Sequence, residues 1–158
     1  MRTPLMNALV LVAATAITLS AADNSIGTWK RNIEKSKYLL TPKNPIKSQT
    51  MVREAIEGGV KVTSKGQRAD GTPVATTYTV KYDGEPVSIT GEGNNYDTVS
   101  VKQVDDDTFI HEMKKSGGKY HTTGRTVISK DGKTMTMTAG GIDADGEPID
   151  FTVVWDKQ

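Results

Sequence analysis

The sequence predicts an all-β protein, an antiparallel up-and-down β-barrel of eight to ten strands, and three observations predict it. Beyond residue 22, threonine and valine are abundant while leucine remains only at Leu39 and Leu40, and the first two residue types favour a pleated surface over a helix. Turn signals recur every 10 to 14 residues. Between them, apolar and polar residues alternate, which is typical of a sheet with one buried face.

The first 22 residues differ in composition from the rest and are predicted to be a secretory signal peptide. Arg2 is their only charged residue, residues 8–19 are uncharged and mostly apolar, and residues 20–22 are small. This order is typical of a cleaved export signal, and the apolar run is too short to span a bilayer. We expect cleavage between Ala22 and Asp23, which leaves residues 23–158 as one soluble barrel domain, periplasmic or secreted.

Asp-Gly and Gly-Gly pairs divide residues 23–158 into hairpins, because they supply the positive φ angles that tight turns need. The connector over residues 34–47 is different: Pro42 and Pro45 leave room for at most one helical turn, near residues 34–38. The ten predicted strands span residues 26–33, 48–57, 60–67, 73–82, 87–91, 96–104, 108–115, 119–129, 133–139 and 148–156.

The alternation along the last strand indicates which face is buried. Ile149, Phe151, Val153 and Trp155 fall on one face, and polar residues such as Thr152 fall on the other. A row of short strands leaves an exposed edge unless the sheet closes, and an up-and-down barrel closes it. A two-sheet sandwich is the alternative that this pattern leaves open.

Composition excludes several classes of function. The chain has 20 Lys+Arg against 19 Asp+Glu, so a domain-wide basic face and a nucleic-acid partner are not expected. It has no cysteine, which excludes a disulfide scaffold, a thiolate metal site, a cysteine nucleophile and a lipid-modified N-terminal cysteine. We expect a monomer with no stable membrane anchor.

Two histidines are the main candidates for chemistry. His111 lies between Phe109 and Met113 on the predicted inner face, where a hydrogen-bonded structural histidine is favoured over one that orients a ligand. His121 lies on the next predicted strand and comes near His111 if the intervening turn centres on Gly117. Two histidines without an acidic third ligand make a poor zinc site, and no serine has a nucleophile-elbow context. We therefore expect no metal, no cofactor and no enzymatic activity.

Four short stretches carry a resemblance to a known family. They are Gly-Thr-Trp-Lys at residues 27–30, Lys-Ser-Lys at 35–37, Ser-Lys-Asp-Gly-Lys-Thr at 129–134 and Thr-Val-Val-Trp-Asp-Lys at 152–157. With these, the chain resembles the lipocalin and fatty-acid-binding-protein superfamily, and more closely exported bacterial lipocalin-like proteins of unassigned function. The resemblance implies a calycin-like barrel in which Gly27 and Trp29 form the closed end. It also implies a basic side chain across Trp29, for which Arg125 is the best candidate.

The chain departs from the fatty-acid-binding branch of that superfamily. That branch captures a carboxylate with an arginine and a tyrosine two residues apart in the last strand, where this sequence has Val153 and Trp155. The departure favours a neutral or aromatic ligand, or none.

The predicted function is extracytoplasmic binding of a small apolar or amphipathic molecule, held non-covalently inside the barrel. The alternative is a ligand-free barrel that acts as a protein-interaction or structural module through its outer surface. The residues predicted to line the cavity are Tyr78, Tyr82, Phe109, His111, Met113, Met135, Met137, Phe151, Val153 and Trp155.

Overall fold

A computed structural model of the protein describes residues 23–39 and 43–158, and the predicted signal peptide lies outside these residues. The described chain folds into eleven β-strands. In chain order they are β1 Gly27–Tyr38, β2 Ile46–Ile56, β3 Gly59–Arg68, β4 Pro73–Lys81, β5 Val87–Ser88, β6 Thr90–Glu92, β7 Thr98–Asp105, β8 Thr108–Lys114, β9 His121–Ile128, β10 Thr134–Ile142 and β11 Pro148–Lys157.

All strands belong to one antiparallel sheet, in the order β5-β7-β8-β9-β10-β11-β1-β2-β3-β4-β6. The first and last long strands, β1 and β11, pair with each other. At the seam the amide of Gly84 donates to the carbonyl of Val101 (2.9 Å), and Asp83 bridges to Lys102. The barrel is therefore nearly closed, and the prediction of an all-β antiparallel barrel is confirmed. A single sheet replaces the two-sheet sandwich that the sequence left open.

The predicted strand over residues 87–91 is wrong in one respect, because the structure divides this segment in two. β5 pairs with β7 on one edge of the sheet, whereas β6 pairs with β4 on the other. The segment thus crosses the seam and gives each edge a short neighbour. This division raises the strand count to eleven, above the predicted eight to ten.

The first strand is longer than predicted, and no helical turn forms over residues 34–38. β1 continues to Tyr38, with an irregular stretch between Asn32 and Lys37 where it pairs with β11. The Ser36 hydroxyl links the two strands within this irregular stretch, since it donates to the carbonyl of Asn32 (2.6 Å) and accepts from the amide of Val154 (3.1 Å). Pairing with β11 therefore outweighs the local preference for a turn.

Trp29 closes one end of the barrel. Its side chain is fully buried, and its indole N–H donates to the carbonyl of Ser25 (2.9 Å). The Lys157 ammonium lies 5.1 Å from the centre of the Trp29 ring and donates to the carbonyl of Asn24 (3.0 Å). Gly27 makes room for it, because its φ is 131° and a Cβ there would lie 2.8 Å from Lys157 Cε.

The basic residue on Trp29 is therefore Lys157, and the assignment of Arg125 to that position is wrong. Arg125 lies on the exposed face of β9, and its guanidinium is 3.5 Å from the Thr108 hydroxyl. Thr122 and Ile128 show which face of β9 is buried, and residue 125 has the opposite parity. Lys157 reaches Trp29 because the two residues are direct cross-strand partners between β11 and β1.

Gly124 is packed closely against both neighbouring strands and leaves no room for a side chain. Its replacement by alanine is expected to destabilise the barrel by about 1–3 kcal/mol through overpacking. A Cβ at this position would lie 2.2 Å from the carbonyl oxygen of Thr138 and 2.7 Å from His111 Nε2. Urea unfolding would measure the change. The matched control is Gly140→Ala on β10, where the nearest atom is 3.6 Å from the added Cβ, so a change within about 0.5 kcal/mol is expected. Equal losses in both variants would contradict the argument.

Candidate functional site: the internal cavity

The barrel encloses a cavity of about 220 Å³. Its wall contains nine of the ten residues that the sequence predicted to line it, and their role as ligand contacts stays a prediction. These nine are Tyr78, Phe109, His111, Met113, Met135, Met137, Phe151, Val153 and Trp155.

Tyr82, the tenth predicted residue, does not line the cavity. Its ring packs against Phe109 with centroids 4.9 Å apart, and its hydroxyl donates to Asp23 Oδ2 (3.1 Å). The hydroxyl also lies 3.4 Å from the hydroxyl of Ser25, next to the closed end. Tyr82 thus belongs to the packing around the Trp29 end, and its assignment to the cavity is corrected.

The polar part of the cavity wall was not predicted from the sequence. It is formed chiefly by β1, β2, β3 and the segment before β7, and its main members are Arg31, Tyr38, Gln49, Arg53, Arg68, Asn94, Tyr96 and Tyr120. One sequence feature predicts Arg31: it lies two residues after Trp29, and the alternation of an extended strand puts both side chains on the same face. Alternation along β1 therefore places Arg31 on the inner wall.

The side chains that accept hydrogen bonds from Arg31 are neutral. One Nη donates to Gln49 Oε1 (3.2 Å) and the other to the Tyr38 hydroxyl. Its guanidinium carbon lies 5.9 Å from the centre of the Trp155 ring, the cross-strand partner of Arg31. Its Nε–H is buried and has no hydrogen-bond partner in the described part of the chain, and burial lowers the pKa of Arg31.

Arg53 lies nearer the closed end and is 9% exposed. It donates to the hydroxyls of Ser25 (3.3 Å) and Tyr82 (3.4 Å), while its buried Nε has no partner in residues 23–39 and 43–158. Through Tyr82 it is connected to the carboxylate of Asp23. Tyr78 lies in the same region, and burial raises the pKa of its hydroxyl. Arg53 is thus a buried cation that the Tyr82 hydroxyl links to the carboxylate of Asp23.

The rim of the cavity lies at the end of the barrel opposite Trp29. Arg68 donates to the carbonyl of Asn44 (2.9 Å) and to that of Gly93 (2.8 Å), which ties two loops together. Asn94 accepts from the Thr76 hydroxyl (2.7 Å) and donates to the carbonyl of Ala75 (2.7 Å). These bonds hold the loops of residues 43–45 and 93–97 at the mouth of the cavity.

The charges along the wall have one sign. Arg31, Arg53 and Arg68 line the cavity, and among the described residues no aspartate or glutamate does. The expectation of a neutral or aromatic ligand, or of none, was based only on the last strand, where Val153 and Trp155 stand. The structure places guanidinium groups on β1, β2 and β3 instead. The cavity therefore combines apolar and aromatic walls with a cationic side.

His111 faces the cavity and is 5% exposed. Its Nδ1 lies 3.4 Å from the Thr126 hydroxyl, whereas its buried Nε2 has no hydrogen-bond partner among the described residues. Burial lowers the pKa of His111 to about 4, so the ring is neutral at pH 7.

His121 is not brought to His111. It lies on the exposed face of β9, where its Nε2 is 2.7 Å from Glu112 Oε1. Within residues 23–39 and 43–158, no group of three or more His, Cys, Asp or Glu residues is placed to hold a metal ion. In the same residues, no helix has the length and apolar character needed to cross a membrane.

Comparisons with known proteins find similar folds among solved structures. No family model matches the chain, and no curated protein matches it. A redesigned β-barrel, mFAP1, bound to DFHBI is similar with a TM-score of 0.46 and 13% identity, covering 87% of this chain and 98% of that one. A de novo designed fluorescence-activating β-barrel has a TM-score of 0.42 and 15% identity, covering 84% of this chain and 93% of that one.

Proposed function

We propose that this protein is an extracytoplasmic binding protein that holds one small amphipathic molecule non-covalently inside its barrel. The observation that carries the proposal is the internal cavity of about 220 Å³. A barrel of few strands is commonly filled by its own side chains, whereas this one leaves space bounded by apolar and polar groups. The volume lies below the usual ~300–1,000 Å³ of ligand pockets, so the ligand is compact.

The proposed mechanism is burial of the ligand without chemical change. Met113, Met135 and Met137 contribute flexible, polarisable side chains that adapt to the shape of a ligand. Phe151 and Trp155 offer aromatic faces. Removing apolar ligand surface from water provides about 25 cal/mol per Å². We therefore propose that the protein binds its ligand and does not catalyse a reaction on it.

We also propose export and membership of the lipocalin and fatty-acid-binding-protein superfamily. Export is supported by the signal-peptide pattern of residues 1–22. Superfamily membership is supported by the closed end, in which Gly27 leaves room for Lys157 across the ring of Trp29. The G-x-W opening of β1 then has a packing role.

Native mass spectrometry of the protein purified from an exporting host tests the proposed function. We expect a discrete extra mass that is lost on denaturation, and binding of apolar dyes to the protein after the ligand is removed. The mass of the processed chain also tests cleavage after Ala22.

Met137→Trp is expected to abolish dye binding by filling the cavity, because Met137 lies on its wall. The matched control is Thr136→Trp, the neighbouring position on the opposite face of β10, which should bind as the wild type does. Binding unaffected by Met137→Trp would place the ligand outside the cavity. No bound mass and no dye binding in the wild type would reject the carrier function in favour of a protein-interaction role on the outer surface.

A further inference from the structure

We infer that the ligand of this cavity is an anion, a compact carboxylate with an aromatic or apolar body, whose charged group is bound by Arg31. The inference rests on the proposed function, since it gives the chemical class of the same ligand. It depends on the charge, the hydrogen-bond polarity and the walls around Arg31.

The charge of Arg31 is not compensated by the protein. A guanidinium removed from water is normally paired with a carboxylate, because an unpaired interior charge is costly. Among the residues that the structure describes, no carboxylate oxygen lies within 4.0 Å of Arg31, and no acidic residue lines the cavity. Residues 1–22 and 40–42 contain no aspartate or glutamate. Arg31 is half-buried, and an anion that offsets its charge would therefore come from outside the chain.

The hydrogen bonds around Arg31 leave donors facing the cavity. The Tyr38 hydroxyl accepts from one Nη, which leaves its own proton free to donate. Gln49 accepts from the other Nη and donates through Nε2 to the Ser64 hydroxyl (3.3 Å). The buried Arg31 Nε–H has no acceptor among the residues that the structure describes. An anion supplies the acceptor that this donor-rich group lacks.

Arg31 is a better candidate than Arg53 for the anion site. Arg53 already bonds two hydroxyls, and one of them, that of Tyr82, donates to the Asp23 carboxylate. Within the described residues, Arg31 has no such connection to an acid, and it lies towards the rim, where a ligand enters. The pairing of β1 with β11 places Arg31 opposite Trp155 and Tyr38 opposite Phe151. The body of the ligand then lies against aromatic rings, which favours an aromatic or apolar molecule.

The test compares naphthalene carboxylate with its carboxamide, which have nearly the same shape and differ in charge. Isothermal titration calorimetry is run on the exported protein after its ligand is removed. We expect the carboxylate to bind about tenfold to a hundredfold more tightly, which is the effect of a charge-assisted hydrogen bond. Arg31→Gln should reduce this preference to about twofold or less. The control Arg125→Gln, on the outer face, should leave it unchanged.

Arg31→Lys gives a second variant that keeps the charge. It should reduce the preference several-fold, because an ammonium lacks the planar fork of a guanidinium. Equal binding of the two compounds by the wild type, or a preference unchanged in both Arg31 variants, would overturn the inference and leave the proposed function intact. Failure of both compounds and of the apolar dyes to bind would overturn the proposed function itself.

Discussion

Replacing Trp29 by alanine is expected to lower the free energy of unfolding by about 3–5 kcal/mol, the largest effect of any single substitution considered for this barrel. Trp29 is fully buried, so truncation leaves a large cavity at the closed end. The substitution also removes the hydrogen bond from the indole to Ser25 and the ring beneath Lys157. Urea unfolding at pH 7 measures the loss.

Two further substitutions separate the parts of this effect. Trp29→Phe keeps an aromatic ring but lacks the N–H, so a smaller loss of about 1–3 kcal/mol is expected. Lys157→Met keeps most of the aliphatic stem and loses the cation, and should cost about 0.5–2 kcal/mol. A Trp29→Ala variant destabilised by less than about 1 kcal/mol would show that Trp29 does not hold the closed end together.

The stability of the barrel is expected to fall by about 3 kcal/mol between pH 7 and pH 4 because of His111 alone. Burial lowers the pKa of His111 to about 4, whereas an unfolded chain binds a proton there near pH 6.5. Between these values the unfolded state binds more protons than the folded state, so the free energy of unfolding decreases as the pH falls. The contribution is complete above about pH 6.5 and is lost progressively down to about pH 4.

His111→Gln isolates this contribution. Surface carboxylates with lowered pKa values also reduce the stability of the protein when acid protonates them. A backbone hydrogen bond from Ser116 lowers the pKa of Asp97, and a side-chain hydrogen bond from Ser129 lowers that of Asp131. These groups are common to both proteins and cancel in the difference. Urea unfolding at several pH values should therefore give a shallower loss in His111→Gln. Parallel pH profiles for the two proteins would show that His111 does not titrate with a lowered pKa.

Features that depend on local chemistry were predictable from the sequence. The glycine-containing turns and the alternation of β4, β8, β10 and β11 predicted the barrel and nine of the residues on the cavity wall. The family resemblance carried by residues 27–30 also implied that Trp29 lies at the closed end, where its side chain is fully buried. Strand periodicity and turn geometry are set by residues close together in the chain, so the sequence carries them directly.

The orientation of Tyr38 depended on the tertiary structure. Asn32 pairs with Val154 and Lys37 with Thr152, so the register between β1 and β11 shifts by an odd number of residues within the irregular stretch. That shift reverses which residues of β1 face inwards, and Tyr38 joins Arg31 inside the barrel. Simple alternation from Trp29 would have placed Tyr38 outside.

The sequence by itself determined the fold class, the order of the long strands and the buried face of β4, β8, β10 and β11, and its family resemblance indicated the closed-end tryptophan. Only the tertiary structure decided that Lys157 covers Trp29, that residues 87–92 are shared between two sheet edges, and that no carboxylate of the described residues pairs with Arg31. The physical reason is the same in each case. These features depend on the register between strands that are distant in the chain, and register is set when the whole sheet closes around its core.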